Sequence, residues 1–363
     1  MAGFRTVHYK VRNGTRAFRR WVIPYISSRI HSSRFSPLLS YLLTEWKCNI
    51  DCHYCFDFDN KVPGMTLDTA IQSIDWLKSV GCRVVAIMGG EPLLRKDFIL
   101  KVVDYSVKSG FFVYLPTNGR LLTEDFIDAV GSNGVAAVNL AVDCVEEISG
   151  MPKNLVKIEP QFKYLVKQQE KYGYLVFFNI NITRKNMEDV KRLTEIAHEY
   201  KIGTDYHIVE PPREEENHYQ HHGNDFYITQ DYWKETDELL DWLIDKNKHG
   251  YPMVNSITHL QSMKKFMRGE TEPWQCRAGI NSSFIRTDGS LSPCFGLYSL
   301  NHDWGRIGDS KFDLQALETQ KKKCNHYCLS TCQYNVGHYY TISSGILKWA
   351  FKHVRTGGLK AFE

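Results

Sequence analysis

The chain lacks the features that mark membrane-spanning, secreted or disordered proteins. No stretch of its 363 residues approaches eighteen consecutive apolar residues, so no bilayer-spanning helix is predicted. The first twenty residues contain no apolar core like that of a secretory signal peptide. Gly and Pro are not in excess, and 43% of the residues are hydrophobic, which indicates a globular chain. We therefore expect a cytoplasmic protein in a reducing compartment, where clustered cysteines more often bind metals than form disulfides.

Acidic residues are missing from both ends of the chain. Residues 1–44 hold seven Arg and one Lys, and residues 333–362 hold three Lys and one Arg, with no Asp or Glu in either stretch. Because the formal net charge is only +4, the part between the ends is net acidic. This asymmetry predicts an anionic partner for the ends, such as a membrane surface, a nucleic acid or a leader peptide.

Apolar runs alternate with segments of helical spacing from Pro37 onward. Six runs predict strands buried on both faces, which is typical of a parallel sheet: 38–44, 83–88, 111–115, 135–142, 174–182 and 204–209. The segments between them predict helices, the first capped by Thr66 and ended by Gly81. Two further helices are predicted at about 230–248 and 255–268. The pattern favours an α/β fold with a partial (β/α)6 barrel, whose ligands bind at the carboxyl ends of the strands.

Three cysteines follow the first predicted strand within eight positions: Cys48, Cys52 and Cys55. Four ligands complete a structural zinc site, and four thiolates usually hold a [4Fe–4S] cluster. A cluster held by only three thiolates keeps one iron open for the amino and carboxylate groups of a small molecule. The loop therefore predicts a metal centre at the mouth of the barrel.

The spacing Cys48-x3-Cys52-x2-Cys55, with Tyr54 before the last cysteine, resembles the signature of radical SAM enzymes. Further motifs follow at strand ends in the family's order. Gly89-Gly90-Glu91-Pro92 resembles the family's GGEP, and Thr117-Asn118-Gly119 resembles its TNG. Asp143 occupies the place of the Asp in the family's Ser-x-Asp-Gly, although Ala141 and Cys144 replace the Ser and the Gly. Glycine also lets a backbone approach a ligand closely.

The resemblance spans about residues 38–210, and it implies a cofactor, a reaction and a set of contacts. A [4Fe–4S] cluster would donate one electron to S-adenosylmethionine (SAM), giving methionine and a 5′-deoxyadenosyl radical. The electron would come from a donor such as flavodoxin or ferredoxin. The barrel would orient the reactants and exclude solvent. The implied SAM-binding residues are Tyr54, Gly89, Gly90, Glu91, Thr117, Asn118 and Asp143.

A second cysteine set predicts an auxiliary metal site near the C-terminus. Asp288-Gly289 predicts a β-hairpin between two of these cysteines. The segment resembles the opening of SPASM and twitch domains, although a full SPASM domain has seven cysteines. The resemblance implies one auxiliary [4Fe–4S] cluster on four of five residues, with zinc as the alternative: Cys276, Cys294, Cys324, Cys328 and Cys332.

The remaining Cys and His residues favour structural roles. Cys82 and Cys144 each lie alone beside a strand and are predicted to be buried, inert thiols. The segment PPREEENHYQHHGND (211–225) predicts a linker or solvated surface loop. Its His218, His221 and His222 could bind a metal instead, but their spacing implies no fixed geometry.

The substrate is the least determined part of the function. The layout resembles that of adenosyl-hopene transferase among other radical SAM types, and Trp21, Ile23, Trp349 and Phe351 lie among the basic residues of the ends. The main hypothesis is a lipid, isoprenoid or other membrane-located substrate, with the ends bound peripherally to anionic membrane. Alternatively, both ends pack on the barrel. The other functions considered are maturation of a ribosomal peptide, small-molecule radical dehydrogenation and a non-enzymatic iron–sulfur protein. No nucleic-acid partner is expected.

The patterns divide the chain into five parts. A basic N-terminal extension (1–36) precedes the barrel (37–210), and a linker with two helices (211–270) precedes the auxiliary-cluster module. That module covers 271–335, and a basic amphipathic tail occupies 336–363.

Overall fold

The structure, a computed structural model, describes residues 15, 18–30, 35–56, 58–212, 216–297, 302–310, 312–324, 328–330 and 333–337. Cys332 and most of the basic residues at the two ends lie outside this set. Ten strands are present in it: β1 (Leu39–Glu45), β2 (Val84–Gly89), β3 (Phe112–Thr117), β4 (Ala137–Ala141), β5 (Leu175–Ile182), β6 (Gly203–Ile208), β7 (Ser282–Ile285), β8 (Leu291–Ser292), β9 (Gly305–Arg306) and β10 (Asp309–Ser310). The six strands predicted from the apolar runs are all confirmed.

Helices follow the strands as the apolar spacing predicts. Thr66 caps the first barrel helix by accepting a hydrogen bond from the Thr69 amide, and Gly173 ends another in the left-handed conformation. The nine α-helices in the described residues are α1 (Ile23–Ile30), α2 (Leu67–Ser79), α3 (Lys96–Lys108), α4 (Glu124–Ser132), α5 (Glu159–Tyr172), α6 (Met187–Glu199), α7 (Trp233–Lys248), α8 (Ile257–Met267) and α9 (Leu314–Cys324). None of them is long and apolar enough to cross a bilayer.

One sheet organises the molecule, with the strand order β6-β5-β4-β3-β2-β1-β7-β8. Strands β1 to β6 pair in parallel with their sequence neighbours, so their carboxyl ends meet at one edge. Right-handed crossovers place the connecting helices on one face of such a sheet. The partial (β/α)6 architecture expected from the sequence is confirmed.

The two faces of the sheet bury different sets of residues. Leu42, Val85 and Val113 pack outward into the large core shared with the helices. Tyr41, Ala86 and Phe284 form a separate cluster on the opposite, inner face. Alternation along each strand separates the two sets, because successive side chains point to opposite faces.

The C-terminal hairpin is part of the barrel sheet. Strand β7 pairs in parallel with β1, with Tyr41 opposite Phe284, and β8 returns antiparallel to β7. Asp288-Gly289 forms the predicted turn, where Gly289 has φ +84°. Sequence reasoning gave six strands because it assigned the hairpin to a separate module. The division of the chain at residue 271 stays a prediction.

The N-terminal helix lies against the sheet with one side exposed. Val22 is 4% and Ser28 0% exposed, whereas Phe18, Ile23 and Ile26 are each about half exposed, at 51%, 49% and 49%. The Arg20 guanidinium donates to the carbonyl oxygen of Phe111 at the start of β3. This segment therefore both packs on the barrel and presents apolar side chains to solvent.

Candidate metal and SAM site

The cysteine triplet lies on the loop that follows β1, at the carboxyl edge of the sheet. Cys52 is buried, and Cys48 and Cys55 are partly exposed. The loop is held in shape by its own polar groups, since the Cys48 amide donates to Asn60 Oδ1 at 3.0 Å and the Cys55 amide to the Cys52 carbonyl at 2.9 Å. Burial raises the pKa of the Cys52 thiol to about 12. The metal-free thiol is therefore protonated at neutral pH, and binding of a metal there releases a proton.

Lys153 extends into the triplet site from the loop after β4. Its Nζ lies 3.7 Å from Asp143 Oδ2 and 5.7 Å from the centre of the Tyr54 ring. Burial lowers the pKa of this ammonium, but the charge of Asp143, and after it the charges of Cys52, Cys55 and Cys48 in their thiolate form, outweigh burial and raise it. The structure therefore places a positive charge beside Asp143 and Tyr54, at the site of the triplet. No motif in the sequence marked this residue.

Tyr54 and Asp143 form the floor of the site. The Tyr54 hydroxyl donates to Asp143 Oδ2, and burial followed by the Asp143 charge raises the pKa of that phenol. Asp143 Oδ1 accepts from the Asn181 amide at 2.6 Å, which joins the end of β4 to β5. Both side chains were expected to contact SAM. The structure shows that they bind one another and tie the triplet loop to the barrel.

Glu91 links the carboxyl ends of β2 and β3 by hydrogen bonds. Its side chain is fully buried, and it accepts from the Leu93 amide at 2.9 Å, the Thr117 hydroxyl at 2.8 Å and the Asn118 amide at 2.8 Å. Burial raises the pKa of this carboxyl, while those three donors act in the opposite direction. The Asn118 side chain in turn donates to Asn49 Oδ1 on the triplet loop at 2.8 Å. The GGEP and TNG motifs are thus brought into one hydrogen-bonded unit with the triplet.

Gly89 and Gly90 bring two backbone segments together. A Cβ at Gly89 would lie 2.2 Å from the carbonyl oxygen of Glu45, and one at Gly90 would lie 2.5 Å from that of Lys47. The Gly90 and Glu91 amides donate to those same two carbonyls, each at 2.8 Å. The sequence suggested that these glycines admit a ligand. The close approach that the structure shows is to the chain leading into the triplet.

The histidine-bearing segment after β6 lies at the surface, with Gln220, His222 and Gly223 exposed, and part of it packs on the triplet loop. Tyr219 is 5% exposed, and its hydroxyl donates to the carbonyl oxygen of His53 at 2.6 Å. His218 Nε2 lies 2.8 Å from the Phe56 carbonyl, and His221 Nε2 lies 2.8 Å from Asp51 Oδ1. The segment therefore covers the triplet loop, because its aromatic side chains find apolar surface there.

The three histidines of this segment do not converge on one point. In the described residues, Asp51, His53 and His221 are the one group whose metal-binding atoms lie within 4.8 Å of one another. The rings of His53 and His221 are stacked, with centroids 3.9 Å apart. Their in-plane nitrogen lone pairs run side by side, so the arrangement fits a stacked pair better than two ligands of one ion.

The structure describes four of the five cysteines in the second set. Cys276, Cys294, Cys324 and Cys328 are all partly exposed, and Cys332 lies outside the described residues. Burial raises the pKa of the Cys276 thiol, which interacts electrostatically with Lys321 and Cys324. Lys321 is 5% exposed, and its ammonium forms an ion pair with Glu318 Oε1 at 3.5 Å. The structure thus brings Cys276, Cys324 and a buried positive charge together.

Cys82 and Cys144 are buried, as predicted. Both are fully inaccessible, and burial raises the pKa of each thiol to about 12. Cys82 precedes β2, at the edge of the sheet opposite the triplet. Neither thiol is predicted to react.

Comparison with known proteins identifies this architecture. Residues 47–222 match the family model of the radical SAM superfamily. This segment is therefore similar to radical SAM domains.

Two curated proteins are similar in sequence to part of this chain. AdoMet-dependent heme synthase of Methanosarcina barkeri is 28% identical over 160 residues, which are 42% of this chain and 44% of the relative. GTP 3′,8-cyclase of Clostridium perfringens is 30% identical over 166 residues, 40% of this chain and 51% of the relative. The chain thus spans about half or less of the curated relatives it matches.

Two solved structures share the fold. Streptococcus suis SuiB bound to S-adenosylmethionine has a TM-score of 0.58 at 16% identity, covering 83% of this chain and 69% of SuiB. Native anSMEcpe with bound AdoMet also has a TM-score of 0.58, at 19% identity, covering 79% of this chain and 82% of that protein. At these identities the likeness concerns the fold of this chain.

Proposed function

We propose that this chain is a radical SAM enzyme that binds a [4Fe–4S] cluster through Cys48, Cys52 and Cys55 and cleaves SAM reductively. The observation that carries the proposal is the cysteine triplet on a loop tied to the ends of β2, β3 and β5, with the Lys153 ammonium beside Asp143 and Tyr54 at the same site. When bound, the cluster supplies the electron that breaks a carbon–sulfur bond of SAM, giving methionine and a 5′-deoxyadenosyl radical. A flavodoxin or ferredoxin is the proposed electron donor.

The donor set fits an anionic cluster better than a zinc ion. In a tetrahedral zinc site the thiolates lie roughly 3.8 Å apart, since Zn–S bonds are about 2.3 Å long. Among the described cysteines, no three have sulfur atoms within 4.8 Å of one another. Lys153, paired with Asp143 at the triplet, and Lys321, paired with Glu318 and interacting electrostatically with Cys276, each bring a positive charge to a cysteine set. We therefore also propose an auxiliary [4Fe–4S] cluster on four of the five C-terminal cysteines.

The residues around the triplet have separate proposed tasks. Lys153 would hold an anionic group of SAM, such as its carboxylate, because it is the cation that faces the site. Asp143 and Tyr54 would fix the triplet loop and the floor beneath SAM. Glu91 would keep the ends of β2 and β3 in register, so that Thr117 and Asn118 can contact SAM.

Two substrate classes remain in consideration. A membrane-located substrate is supported by the exposed Phe18, Ile23 and Ile26 in a basic segment. A peptide substrate is supported by the folds of SuiB, one structure of which is bound to the precursor peptide SuiA, and of anSMEcpe, solved with bound peptides. Flotation with anionic liposomes distinguishes the two substrate classes.

The test of the proposed function is SAM cleavage by anaerobically reconstituted protein. With dithionite and SAM, the wild type should form 5′-deoxyadenosine slowly without substrate, and it should hold about eight irons. The triple variant Cys48→Ala, Cys52→Ala, Cys55→Ala should hold about four irons and form none. Cys82→Ala is the matched control, because it removes a thiol at the opposite edge of the sheet. Equal cleavage by the triple variant and the wild type would exclude the proposed site.

A further inference from the structure

A cavity of about 480 Å³ opens at the carboxyl edge of the sheet, beside β1 and the β7–β8 hairpin. Trp46, which follows β1, and Pro63, on the chain that leads away from the triplet loop, form part of its lining. Thr66 and Thr69 at the start of helix α2 and Arg286 after β7 also line it. Its volume lies within the range of roughly 300–1,000 Å³ that is typical of small-molecule pockets. None of these residues belongs to the proposed cluster or SAM contacts.

Two contacts hold the parts of this cavity together. The Asp59 amide donates to the Trp46 carbonyl oxygen at 3.0 Å, which fixes the chain leaving the triplet loop against the end of β1. A Cβ at Gly289 would lie 3.4 Å from Thr69 Cγ2, so the hairpin turn packs close to the start of helix α2. The cavity therefore lies between three segments whose positions are fixed by contacts within the fold.

Arg286 brings a positive charge to this cavity. Its guanidinium donates to the Leu291 carbonyl oxygen at 2.5 Å and lies 3.5 Å from Ser290 Oγ, so neutral groups of the hairpin hold it in place. Asp288 also lines the cavity, but its carboxylate accepts from the Ser290 amide at 2.9 Å and lies 3.3 Å from Arg306 Nη1. Because Arg306 pairs with Asp288, the charge of Arg286 is not cancelled within the hairpin.

The start of helix α2 adds hydrogen-bond donors to the lining. The Thr66 and Thr69 hydroxyls lie 2.8 Å apart, and Thr66 Oγ1 also accepts from the Thr69 amide at 3.1 Å. Two hydroxyls hold two protons, and the hydrogen bonds that the described residues give this pair use only one of them. The second proton is therefore available to an acceptor in the cavity. The amino end of a helix is partly positive and acts in the same direction, although Asp68 in the first turn offsets part of this effect.

Trp46 and Pro63 give the cavity an apolar wall. The Trp46 ring lies 5.7 Å from the ring of His218, in the segment that packs on the triplet loop. An apolar group placed against the indole and pyrrolidine rings would be removed from water, which stabilises the bound state. The cavity thus combines a cation and hydroxyl donors with an apolar surface.

We propose that this cavity binds a ligand that carries a carboxylate beside an apolar or aromatic part. The carboxylate would bind Arg286 and the Thr66–Thr69 pair, and the apolar part would rest on Trp46 and Pro63. A guanidinium matches a carboxylate through two parallel hydrogen bonds. A doubly charged phosphate is disfavoured, because the Asp288 carboxylate lies in the same lining and repels the extra charge. A small acid and an acidic residue of a peptide present this same chemistry. The inference does not depend on SAM cleavage.

The experiment titrates the reconstituted full chain, without SAM, by isothermal titration calorimetry at low salt. The probes are phenylacetate, phenylacetamide of nearly the same shape but without charge, inorganic phosphate and the peptide acetyl-Phe-Glu-amide. Phenylacetate should bind at least about tenfold more tightly than phenylacetamide, and phosphate should bind more weakly than phenylacetate. Tighter binding of the peptide than of phenylacetate would assign the cavity to an acidic peptide residue, and the reverse would assign it to a small acid; both results support the proposal.

Three variants locate the binding. Arg286→Gln should weaken phenylacetate binding about tenfold and leave phenylacetamide binding nearly unchanged, because it removes the cation. Thr69→Val keeps the shape of the side chain and the Thr66 cap but removes one hydroxyl, and it should weaken phenylacetate binding about threefold. Arg192→Gln, at an exposed arginine on helix α6, is the matched control and should bind as the wild type does. Iron content and circular dichroism are recorded for each variant, and Thr69→Val keeps the test decisive if Arg286→Gln misfolds.

The proposal is overturned if no probe binds, if phenylacetamide binds as tightly as phenylacetate, or if phosphate binds more tightly than phenylacetate. It is also overturned if Arg286→Gln and Thr69→Val both retain wild-type affinity. A failure of the proposed function looks different, since the wild type would then form no 5′-deoxyadenosine whether or not this cavity is occupied.

Discussion

Glu91 and Lys153 are charged side chains at the site, the first fully buried and the second 17% exposed. The Glu91 carboxylate accepts three hydrogen bonds from within the protein, donated by Leu93, Thr117 and Asn118. The Lys153 ammonium lies 3.7 Å from Asp143 Oδ2, at the site of the three cysteines. We therefore expect Glu91 to contribute to the stability of the domain and Lys153 to contribute to ligand binding.

Removing the Glu91 carboxylate should destabilise the domain. Glu91→Ala leaves three buried donors without an acceptor, and we expect a loss of about 3 kcal/mol in the free energy of unfolding. Glu91→Gln should also destabilise the domain. The glutamine NH2 group replaces one carboxylate oxygen, so a donor would then face an N–H or O–H donor. Urea denaturation of the metal-free protein measures the effect. The control Glu147→Ala, at an exposed position, should change stability by less than about 0.5 kcal/mol, and a similar value for Glu91→Ala would refute the role of Glu91 in linking β2 and β3.

Lys153→Met should weaken SAM binding while the cluster remains. The variant keeps the aliphatic stem but removes the cation, and a charge-assisted hydrogen bond contributes about 1.5–3 kcal/mol, or roughly ten- to a hundredfold in the SAM dissociation constant. Equilibrium dialysis with labelled SAM measures this, and the iron content should stay at the wild-type value. Lys157→Met, on an exposed side chain four residues later, is the control. Unchanged SAM affinity in Lys153→Met would assign the lysine to charge balance alone.

At the scale of elements, the segment after β6 acts as a cover for the triplet loop. Its contacts reach the backbone at His53 and Phe56 and the side chain of Asp51, all between or next to the cysteines. Phe226 packs edge-on against Tyr54, with ring centres 5.4 Å apart. A loop held at several points keeps its thiols close to the geometry that a cluster requires.

Loosening this cover should make the cluster easier to lose. In the double variant Tyr219→Phe, His221→Asn, two contacts worth about 1 kcal/mol each are removed or weakened, so iron release to a chelator should be roughly tenfold faster. The rate is followed by the loss of the cluster's visible absorbance under anaerobic conditions. His249→Ala, on an exposed histidine after α7, should not change the rate. Equal rates for all three proteins would show that the segment does not hold the cluster.

At the scale of the whole molecule, a basic N-terminal segment exposes apolar side chains while its other side packs on the barrel. Phe18, Ile23 and Ile26 are exposed next to Arg19, a combination typical of segments that lie at a membrane surface. The described part of this segment supports the proposed membrane binding, and the C-terminal tail from residue 338 lies outside the described residues.

The triple variant Phe18→Ser, Ile23→Ser, Ile26→Ser should lose binding to anionic vesicles. Flotation with phosphatidylserine-containing liposomes measures the bound fraction, which for the wild type should fall between 0.1 M and 1 M salt as the Debye length shrinks from ~10 Å to ~3 Å. The matched control is Leu94→Ser, Val156→Ser, Leu314→Ser, which removes three other exposed apolar side chains. If the wild type does not float, or if both triple variants float equally, membrane docking is refuted and a peptide or small-molecule substrate is favoured.

The sequence by itself determined the barrel elements and most of the candidate site. Apolar periodicity, the Thr66 cap and the Gly173 stop are local signals, so they can be read without knowledge of the fold. The motifs around Cys48, Glu91, Asn118 and Asp143 follow consecutive strands, and parallel strands bring their carboxyl ends to one edge. Their convergence was therefore predictable.

Only the tertiary structure decided what approaches from far along the chain. The β7 hairpin joins β1, with Phe284 against Tyr41, although 243 residues separate the two. The Tyr219 hydroxyl donates to the His53 carbonyl, and the Lys153 ammonium lies 3.7 Å from Asp143 Oδ2. None of these contacts has a local sequence signal, because a pairing between distant segments depends on how the whole sheet curves and on which surfaces it leaves uncovered.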